Sequence, residues 1–207
     1  MIRANIYVDG FNLYYGAIKD TKYKWLDLQR YFELLRPNDE IQTIYYFTAL
    51  ISGSHKSNQL TYLHALSTLP KVEIVLGKFK LKNVLCRVAK CDFHGCRIFK
   101  MPEEKQSDVQ IALQMIRDAW DDTCNRFILV SGDSDLIPAI RMVKEICPSK
   151  QVIVYIPDRN SVRSAAVELR ETADKVRRLP NLLLQKTQLP PKIPDGHGGF
   201  ILKPVDW

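Results

Sequence analysis

Several features of membrane and secreted proteins are missing from this sequence of 207 residues. No apolar run approaches the ~18 residues of a membrane-spanning helix, so we expect no membrane association. Met1-Ile2-Arg3 leads into a short strand instead of an apolar stretch of about 7–15 residues, so we expect no signal peptide. Cysteine occurs five times, an odd number that favours a reducing compartment over a disulfide framework, and we expect a cytoplasmic protein.

Glycine-rich phosphate-binding loops are missing as well. The sequence has nine glycines but neither Gly-x-x-x-x-Gly-Lys nor Gly-x-Gly-x-x-Gly. Because these loops hold nucleotide phosphates and dinucleotides, we expect no nucleotide cofactor. Cys124 and Cys147 are isolated and have no catalytic histidine near them in sequence, which argues against a nucleophilic-cysteine enzyme.

The composition is that of an ordinary globular protein with a surplus of positive charge. Apolar residues make up 46% and charged residues 26% of the sequence, and the length suits one domain with a full core. Lysine and arginine total 30 against 23 acidic residues, and residues 141–192 alone hold eleven basic and five acidic residues. This surplus suits a polyanionic partner, and plain surface charge is the alternative interpretation.

Predicted strands and helices alternate along the chain. Short runs rich in β-branched and aromatic residues predict strands, and apolar residues three and four positions apart predict helices. The predicted strands are residues 4–8, 41–50, 72–76, 127–131 and 151–156, and the predicted helices are residues 26–35, 55–68, 107–120, 135–146 and 164–176. This alternation predicts an α/β fold, a three-layer α/β/α sandwich around a mostly parallel sheet of about five strands.

The sequence divides into a domain, an insert and an arm. Residues 1–180 are predicted to form the α/β domain, and residues 77–105 a basic insert within it that carries cysteines. Residues 181–207 are rich in proline and glycine, and they predict an arm that lies on the domain. The sequence shows no internal repeat.

Carboxylates follow two of the predicted strands. Residues 127–130 are an unbroken apolar run that predicts a buried strand, and Asp133 and Asp135 lie in the turn after it. Asp9 ends the predicted first strand in the same way. Ligands of open α/β sheets bind outside the carboxyl ends of the strands, so Asp9 and Asp133 lie side by side if these strands are neighbours. A turn that caps a helix is the alternative interpretation of the acids after residue 130.

Asp108 lies in the first turn of the predicted helix 107–120. An acid at this place complements the helix dipole, which is one explanation for it. Asp108 also shares a helical face with Met115 and Ala119, and a carboxylate on an apolar face needs a partner, so we expect it to point inward. The apolar residues at 109, 113, 116 and 120 predict a helix buried on most sides.

Four carboxylates that converge at one sheet edge repel one another unless cations separate them. Oxygen ligands suit hard divalent cations, so the acids predict a site for Mg²⁺ or Mn²⁺. Such a site can activate water, hold a scissile phosphate and stabilise the leaving oxygen. The predicted reaction is therefore hydrolysis of a phosphodiester bond.

Three blocks of the sequence carry these acids. They are Tyr7-Val8-Asp9-Gly10-Phe11-Asn12-Leu13, Glu104-Lys105-Gln106-Ser107-Asp108-Val109 and Val130-Ser131-Gly132-Asp133-Ser134-Asp135-Leu136. Together, and in this order and spacing, they resemble the signature blocks of the NYN domain, a PIN-like nuclease superfamily, and in particular its bacterial LabA/DUF88 group. The resemblance covers about residues 3–180, and it implies a PIN-like Rossmannoid fold and metal-dependent endoribonuclease activity.

The resemblance also implies roles for single acids. Asp9, Asp108 and Asp133 are expected to bind the metal and to act in catalysis. Asp135 is expected to be a fourth such acid, unless its side chain caps the next helix instead.

Three further residues of the blocks are expected to support the acids. Asn12 and Ser131 are expected to support the metal or the phosphate. Lys105 follows Glu104 and precedes Asp108, and it is expected to neutralise phosphate or to steady the acids. An ordinary surface lysine is the alternative interpretation of Lys105.

The insert holds four soft metal ligands in the pattern Cys-x4-Cys-x2-His-x-Cys, namely Cys86, Cys91, His94 and Cys96. Four such side chains can make a tetrahedral Zn²⁺ site, although one residue between His94 and Cys96 is a tight spacing. Reduced free thiols and an oxidised pair are the other interpretations.

Basic residues provide candidate contacts to RNA. Residues 77–105 hold eight Lys or Arg, among them Lys80 and Arg87, against three acids. We expect this insert to be a flap over the active site that contacts RNA, with a solvated basic hairpin as the alternative. Arg159 and Arg163 follow the fifth predicted strand at the sheet edge that carries the acids, where an arginine can grip a phosphate. Ordinary surface charge is the alternative for each arginine.

Three aromatic residues are candidates for stacking on the bases of a single strand, namely Tyr14, Tyr15 and Trp25. Every base has a π-face, so stacking on aromatic side chains holds single strands with little sequence preference. Packing in the core or at its rim is the alternative for each of them.

Two other functions compete with a nuclease. One is an RNA-binding regulatory protein that keeps the nuclease-like fold and has little or no turnover. The other is a phosphatase with an aspartate nucleophile at a strand end. Asn12, three positions after Asp9, counts against the phosphatase because no Asp-x-Asp pair follows the first strand.

Overall fold

A computed structural model of the chain describes residues 1–88, 93–157, 165–205 and 207. The strands are β1 (Ile2–Asp9), β2 (Asp39–Thr48), β3 (Val72–Leu76), β4 (Lys78–Leu85), β5 (Ile98–Lys105), β6 (Arg126–Val130), β7 (Gln151–Ile156), β8 (Lys175–Arg178), β9 (Lys192–Pro194) and β10 (Phe200–Leu202). The helices are α1 (Gly10–Leu13), α2 (Leu28–Leu35), α3 (Lys56–Ser67), α4 (Ser107–Trp120), α5 (Ile137–Ile146), α6 (Ala165–Thr172) and α7 (Asn181–Lys186). A π-helical turn (Tyr14–Ile18) follows α1, and a 3₁₀ turn (Ser134–Leu136) precedes α5.

The main sheet has six parallel strands in the order β3-β2-β1-β6-β7-β8. The predicted parallel α/β sheet is confirmed, and β1 and β6 are neighbours at its centre. The sixth strand, β8, overlaps the end of the predicted helix 164–176. The helix of the structure, α6, ends earlier, at Thr172, and β8 begins at Lys175. This edge strand has only four residues, three of them basic, so it lacks the apolar run that reveals a buried strand.

Two apolar clusters, one on each face of the sheet, form the core. Side chains of β1 alternate between them, with Ile6 and Val8 in one cluster and Tyr7 in the other. Helices α2, α3 and α7 supply the first cluster, and α4, α5 and α6 supply the second. The predicted three-layer α/β/α sandwich is therefore confirmed.

Helix α4 has the predicted bounds but is less buried than its apolar residues predict. Met115 and Ala119 are buried against the sheet, as their spacing indicates. Val109, Leu113 and Trp120 are 62%, 60% and 78% exposed. The prediction of a helix buried on most sides is wrong, because a helix on the outer layer of a sandwich has only one face to bury.

The insert contains a two-stranded antiparallel ribbon that is separate from the main sheet. Strands β4 and β5 pair along their length, from Lys78 opposite Lys105 to Leu85 opposite Ile98. Phe79 packs edge-on against Phe11 of α1, with ring centroids 5.5 Å apart. This contact fixes the base of the ribbon beside the end of β1.

The chain after residue 180 packs on the first cluster. Leu184, Leu189, Ile193 and Ile201 are all buried there. Strands β9 and β10 form a small antiparallel pair. Within the described residues, no helix has the length and apolar character needed to cross a bilayer.

Candidate active site

The candidate site lies where the chain order of the sheet reverses. From β1 the chain first adds β2 and β3 on one side of the sheet, and later β6, β7 and β8 on the other. The loops that leave β1 and β6 therefore diverge and open a crevice at the carboxyl ends of these strands, the usual ligand site of open α/β sheets. Asp9 and Asp133 lie on these two loops.

Ser131 connects the two loops. Its hydroxyl donates to Asp9 Oδ2 over 3.1 Å and accepts the backbone N–H of Asp133 over 3.1 Å. Both Ser131 and Asp9 are buried. The predicted pairing of Asp9 with the loop that carries Asp133 is thus made through one hydroxyl group.

Asn12 makes a second connection between the loops. Its backbone N–H donates to Asp9 Oδ1 over 2.9 Å, which caps α1. Its side-chain Oδ1 accepts the backbone N–H of Gly132 over 3.0 Å. Asn12 therefore fixes the carboxylate of Asp9 and the turn after β6 at the same time.

Gly10 lets the chain turn sharply at the end of β1. A Cβ atom at this position would lie 2.6 Å from the carbonyl oxygen of Phe47 and 2.9 Å from the ring of Tyr46. Only glycine fits such an approach to the neighbouring strand β2. This close packing sets where Asp9 leaves the sheet.

Asp108 reaches the crevice from the first turn of α4. The residue before this helix, Gln106, has a φ of 84°, a left-handed conformation that few non-glycine residues adopt. The buried Ser107 donates its hydroxyl hydrogen bond to Glu104. This tight turn brings Glu104 and Asp108 to the same edge, and backbone strain of this kind is common at functional sites.

The acids influence one another electrostatically. Burial raises the pKa of Asp108 from 3.8 to about 6, with further contributions from the charges of Asp9, Asp133, Glu104 and Asp135. Burial also raises the pKa of Asp9, and Glu104 adds to this effect, while the hydrogen bonds from Asn12 and Ser131 oppose it. The acids that the sequence grouped therefore face one crevice.

Glu104 is an acid of this crevice that the sequence interpretation missed. It lies within the second signature block, four residues before Asp108. Glu104 lies near the end of β5, a strand of the exposed ribbon. Such a strand has no alternation of apolar and polar residues from which the direction of the Glu104 side chain could be predicted. The only signal in the sequence was its presence in that block.

Asp133, and not Asp135, caps the turn after β6. Asp133 Oδ1 accepts the backbone N–H of Asp135 over 2.9 Å at the start of the 3₁₀ turn. The side chain of Asp135 is exposed. The alternative in which Asp135 caps the next helix does not hold, because α5 has no side-chain cap and the cap of the turn is made by Asp133.

The donor set fits a hard divalent cation. The carboxylates of Asp9, Asp108 and Asp133 offer only oxygen, and their mutual repulsion favours a positive charge between them. Within the described ranges, no three His, Cys, Asp or Glu side chains are grouped to hold one ion by themselves. Mg²⁺ is commonly bound by one or two carboxylates, with water and phosphate oxygens completing its shell, so it does not require three carboxylates to meet.

Two of the predicted basic contacts are on the ribbon and two fall outside the described residues. Lys80 and Arg87 are exposed on the ribbon and next to it. Arg159 and Arg163 lie outside the described ranges. Lys105 forms an ion pair with Glu103, with 3.1 Å between Nζ and Oε1. Glu103 lies on the ribbon and is not one of the predicted metal-binding acids, so in this structure Lys105 is paired with a different carboxylate.

The cysteine cluster of the insert is described only in part. Cys86, His94 and Cys96 lie in the described residues, whereas Cys91 does not. Neither Cys86 nor Cys96 is in a disulfide. The four-ligand zinc site stays a prediction.

The aromatic candidates have different environments. Trp25 is fully buried in the core, so its role is packing. Tyr14 is half-buried, and Tyr15 is 62% exposed. Both tyrosines line a cavity that adjoins the end of β1.

Comparisons with known proteins identify the family and support the fold. The NYN domain family matches residues 3–180. The chain is similar to the 6-hydroxy-3-succinoylpyridine 3-monooxygenase HspA of Pseudomonas putida (strain DSM 28022 / S16), with 30% identity over 239 residues that cover 100% of this chain and 75% of the relative. It also resembles the crystal structure of a protein of unknown function from Vibrio parahaemolyticus RIMD 2210633, with a TM-score of 0.55, 21% identity and coverage of 91% and 96% of the two chains. At that identity the second likeness shows the fold alone.

Proposed function

The chain belongs to the NYN domain family, and from this premise we propose that it is a metal-dependent endoribonuclease. The family is part of the PIN-like nuclease superfamily, which supports a nuclease-type function. The proposed substrate is RNA, and the proposed reaction is hydrolysis of its phosphodiester bonds with Mg²⁺ or Mn²⁺.

One observation carries this proposal. The hydroxyl of Ser131 joins Asp9 to the backbone of Asp133 at the carboxyl ends of two adjacent parallel strands. Asp108 faces the same crevice, with a pKa raised to about 6. A group of carboxylates held together against their own repulsion is what a site for cations and a polyanionic substrate requires.

The residues of the crevice have distinct proposed tasks. Of Asp9, Asp108 and Asp133, one or two would bind the divalent ion directly and the others through water. The ion, when bound, would supply a Lewis acid for the phosphate and lower the pKa of water. Ser131 and Asn12 fix the two oxygens of Asp9 in place. Groups that orient ligating carboxylates in this way determine how well a metal site is formed.

Cleavage of labelled RNA in the presence of Mn²⁺ tests the proposal. We expect Asp133→Asn and Asp108→Asn to lower the cleavage rate by about 100-fold, since each removes a negative charge that would help to hold the metal ion, which in turn stabilises the transition state. Asp121→Asn is the matched control, because Asp121 is exposed at the other end of α4. Equal cleavage by the wild type and Asp133→Asn would identify a contaminant and end the claim.

The alternative is an RNA-binding regulatory protein with little or no turnover. The ribbon carries exposed basic residues such as Lys80 and Lys82 on β4. These residues support RNA binding, which does not require catalysis. Tight RNA binding with no metal-dependent cleavage by the wild type would favour this alternative.

A second enzymatic candidate comes from the Pseudomonas putida relative, which is named as a 6-hydroxy-3-succinoylpyridine 3-monooxygenase. The identity of 30% over the whole chain favours testing the same class of reaction here. The test is oxygen consumption with 6-hydroxy-3-succinoylpyridine and a two-electron donor such as a reduced nicotinamide. Uptake that depends on the pyridine would support this candidate over the nuclease.

A further inference from the structure

A cavity of about 410 Å³ opens beside the carboxyl end of β1. Its volume lies within the range of ~300–1,000 Å³ that is usual for sites of small molecules. The buried side chains of Leu13, Tyr46 and Tyr62 line it, together with Gly10. Because Gly10 directly follows Asp9, the cavity adjoins the acidic crevice.

Two groups of aromatic rings line this cavity. Phe11 and Tyr15 are stacked, with ring centroids 6.3 Å apart and planes at 20°, and Tyr14 meets Tyr15 edge-on. Tyr62 and Trp207 form another pair, with centroids 5.7 Å apart. Flat apolar faces of this kind favour a planar ring over an aliphatic chain.

The indole of Trp207 lines the cavity with its ring. Its Nε1–H is buried, and no acceptor for it is found among the residues that the structure describes. Because this nitrogen is closed to solvent, a ligand in the cavity would meet the indole ring and not its N–H.

The charges of the cavity lining favour an anion. Lys19 and Lys24 line it, Asp20 is the one acidic side chain in the described part of the lining, and His55 lines it as well. The ammonium group of Lys19 lies 5.4 Å above the ring of Tyr15. A cation and an aromatic face side by side suit a ligand that has both a ring and a negative charge.

We propose that this cavity binds a planar aromatic ring that carries an anionic group. A nucleotide, with its base and phosphate, and a free aromatic acid share this chemistry. The inference goes beyond RNA cleavage and does not rest on it, because binding in the cavity requires neither a metal ion nor the carboxylates of the crevice.

Calorimetric titration in a buffer with a chelator tests the inference. The probes are AMP and UMP for the nucleotide source, and nicotinate and benzoate for the free-acid source. Binding of the nucleotides alone identifies the cavity as a subsite for a nucleic acid base, and binding of the acids alone identifies a small-molecule site. Each result supports the inference, and no binding of either class at millimolar concentration overturns it.

Variants at the cavity test its location. We expect Tyr15→Ala and Lys24→Ala to weaken binding by about tenfold each, as the loss of one stacking or ionic contact predicts. The matched controls are Trp120→Ala, an exposed aromatic residue on α4, and Lys22→Ala, an exposed lysine close to Lys24 in sequence. Equal binding by wild type and by folded Tyr15→Ala and Lys24→Ala overturns the inference.

Hydrogen exchange provides a measurement that needs no variant. The ligand that binds in calorimetry should slow exchange in the π-helical turn Tyr14–Ile18, which supplies three residues of the lining. Exchange in the ribbon strand β4 should stay the same. Protection of the ribbon without protection of the turn would place the ligand elsewhere and overturn the inference.

Discussion

At the scale of single residues, the site is set by how carboxylates are buried and held. Asp9 is buried and has hydrogen bonds to both oxygens, from the backbone of Asn12 and the hydroxyl of Ser131. Asp108 is half-buried and lies in the field of the other acids. Burial raises the pKa of both residues, but hydrogen bonds oppose the rise at Asp9, whereas four other acids add to it at Asp108.

Asp108 should make the stability of the metal-free protein depend on pH. The pKa of Asp108 is about 6 in the folded chain and 3.8 in a model peptide. Between pH 3.8 and about 6, the folded state therefore binds a proton at Asp108 that the unfolded state has released. Its contribution is fully present below pH 3.8 and is lost as the pH rises through about 6. At pH 7.5, Asp108→Asn should raise the free energy of unfolding by about 1 kcal/mol, a value discounted for solvent screening at this half-buried group.

Urea unfolding in a chelating buffer at pH 4 and pH 7.5 measures this effect. The advantage of Asp108→Asn over wild type should be much smaller at pH 4. Asp121 is an exposed acid at the other end of α4, so Asp121→Asn should show no comparable pH-dependent gain in stability. A constant difference between Asp108→Asn and wild type at both pH values would contradict the assignment of the shift to Asp108.

Gly10 should tolerate no side chain. In Gly10→Ala the new Cβ atom meets the carbonyl oxygen of Phe47 and the ring of Tyr46, at 2.6 Å and 2.9 Å. Backbone cannot move aside as a flexible side chain can, so we expect a loss of about 1–3 kcal/mol in the free energy of unfolding. Chemical denaturation measures it, and a loss below about 0.5 kcal/mol would show that the strand ends can shift apart.

At the scale of elements, the pairing of β1 with β6 brings the acids together. Ser131 joins the ends of these strands by two hydrogen bonds. In Ser131→Ala the carboxylate of Asp9 loses a donor, and the backbone N–H of Asp133 loses its acceptor. Metal-dependent cleavage should fall by about 10–100-fold, as expected for a group that orients ligands.

The dependence of cleavage on the Mn²⁺ concentration measures this change. A weaker apparent metal affinity in Ser131→Ala is expected, because Asp9 is no longer fixed. Ser134→Ala serves as control, since Ser134 lies in the same loop and, among the described residues, its hydroxyl makes no hydrogen bond to these acids. Unchanged metal dependence in Ser131→Ala would show that the strand ends hold the acids without it.

The ribbon of β4 and β5 makes a separate prediction about RNA. The residues to reverse are exposed, namely Lys80, Arg87 and Lys100. Changing all three to Glu should weaken RNA binding and make the slope of log K against log salt less negative by about 2, since each contact to single-stranded RNA contributes about 0.7. A triple reversal of exposed lysines elsewhere, at Lys22, Lys56 and Lys186, is the control of equal charge. Equal effects of both triple variants would indicate a general effect of net charge.

The sequence predicted elements well where burial imposes a pattern. The bounds of β3, α4 and β7 agree with the predicted residues 72–76, 107–120 and 151–156, because apolar spacing marks both their type and their ends. It failed at β8, a short basic edge strand, and at the exposed face of α4. In both cases the residues lie at the surface. Surface positions can hold apolar or polar residues, so the sequence pattern there does not indicate the structure.

The candidate site was predictable to the extent that strand ends determine it. Asp9 and Asp133 could be grouped once β1 and β6 were taken as neighbours, a pairing that the structure confirms. The contribution of Glu104 depends on the left-handed turn at Gln106, and the cap made by Asp133 depends on which carboxylate meets a backbone N–H. Local geometry of this kind leaves no periodic trace in a sequence.

At the scale of the whole molecule, the segment after residue 180 completes the first apolar cluster. The NYN match ends at residue 180, yet Trp25 donates its Nε1–H to the carbonyl oxygen of Pro190 over 2.9 Å. The backbone of Leu189 donates to the carbonyl oxygen of Trp25 over 2.8 Å. The folded unit is therefore larger than the segment that carries the signature blocks.

A chain shortened to residues 1–180 should not fold cooperatively. The removed segment buries Leu184, Leu189, Ile193 and Ile201, and the burial of each such side chain contributes about 1.5–3 kcal/mol. Their sum of roughly 6–12 kcal/mol equals the whole stability of a typical domain, about 5–15 kcal/mol, before the exposure of Trp25 is counted. Calorimetry should therefore find no sharp transition for the fragment. Leu189→Ala in the full chain should retain the transition and lose about 2–5 kcal/mol, as for other buried leucines. A fragment that unfolds cooperatively within a few degrees of the full chain would mean that the β-sheet and its six-stranded core stand alone, and that residues 181–207 only lie on a finished domain.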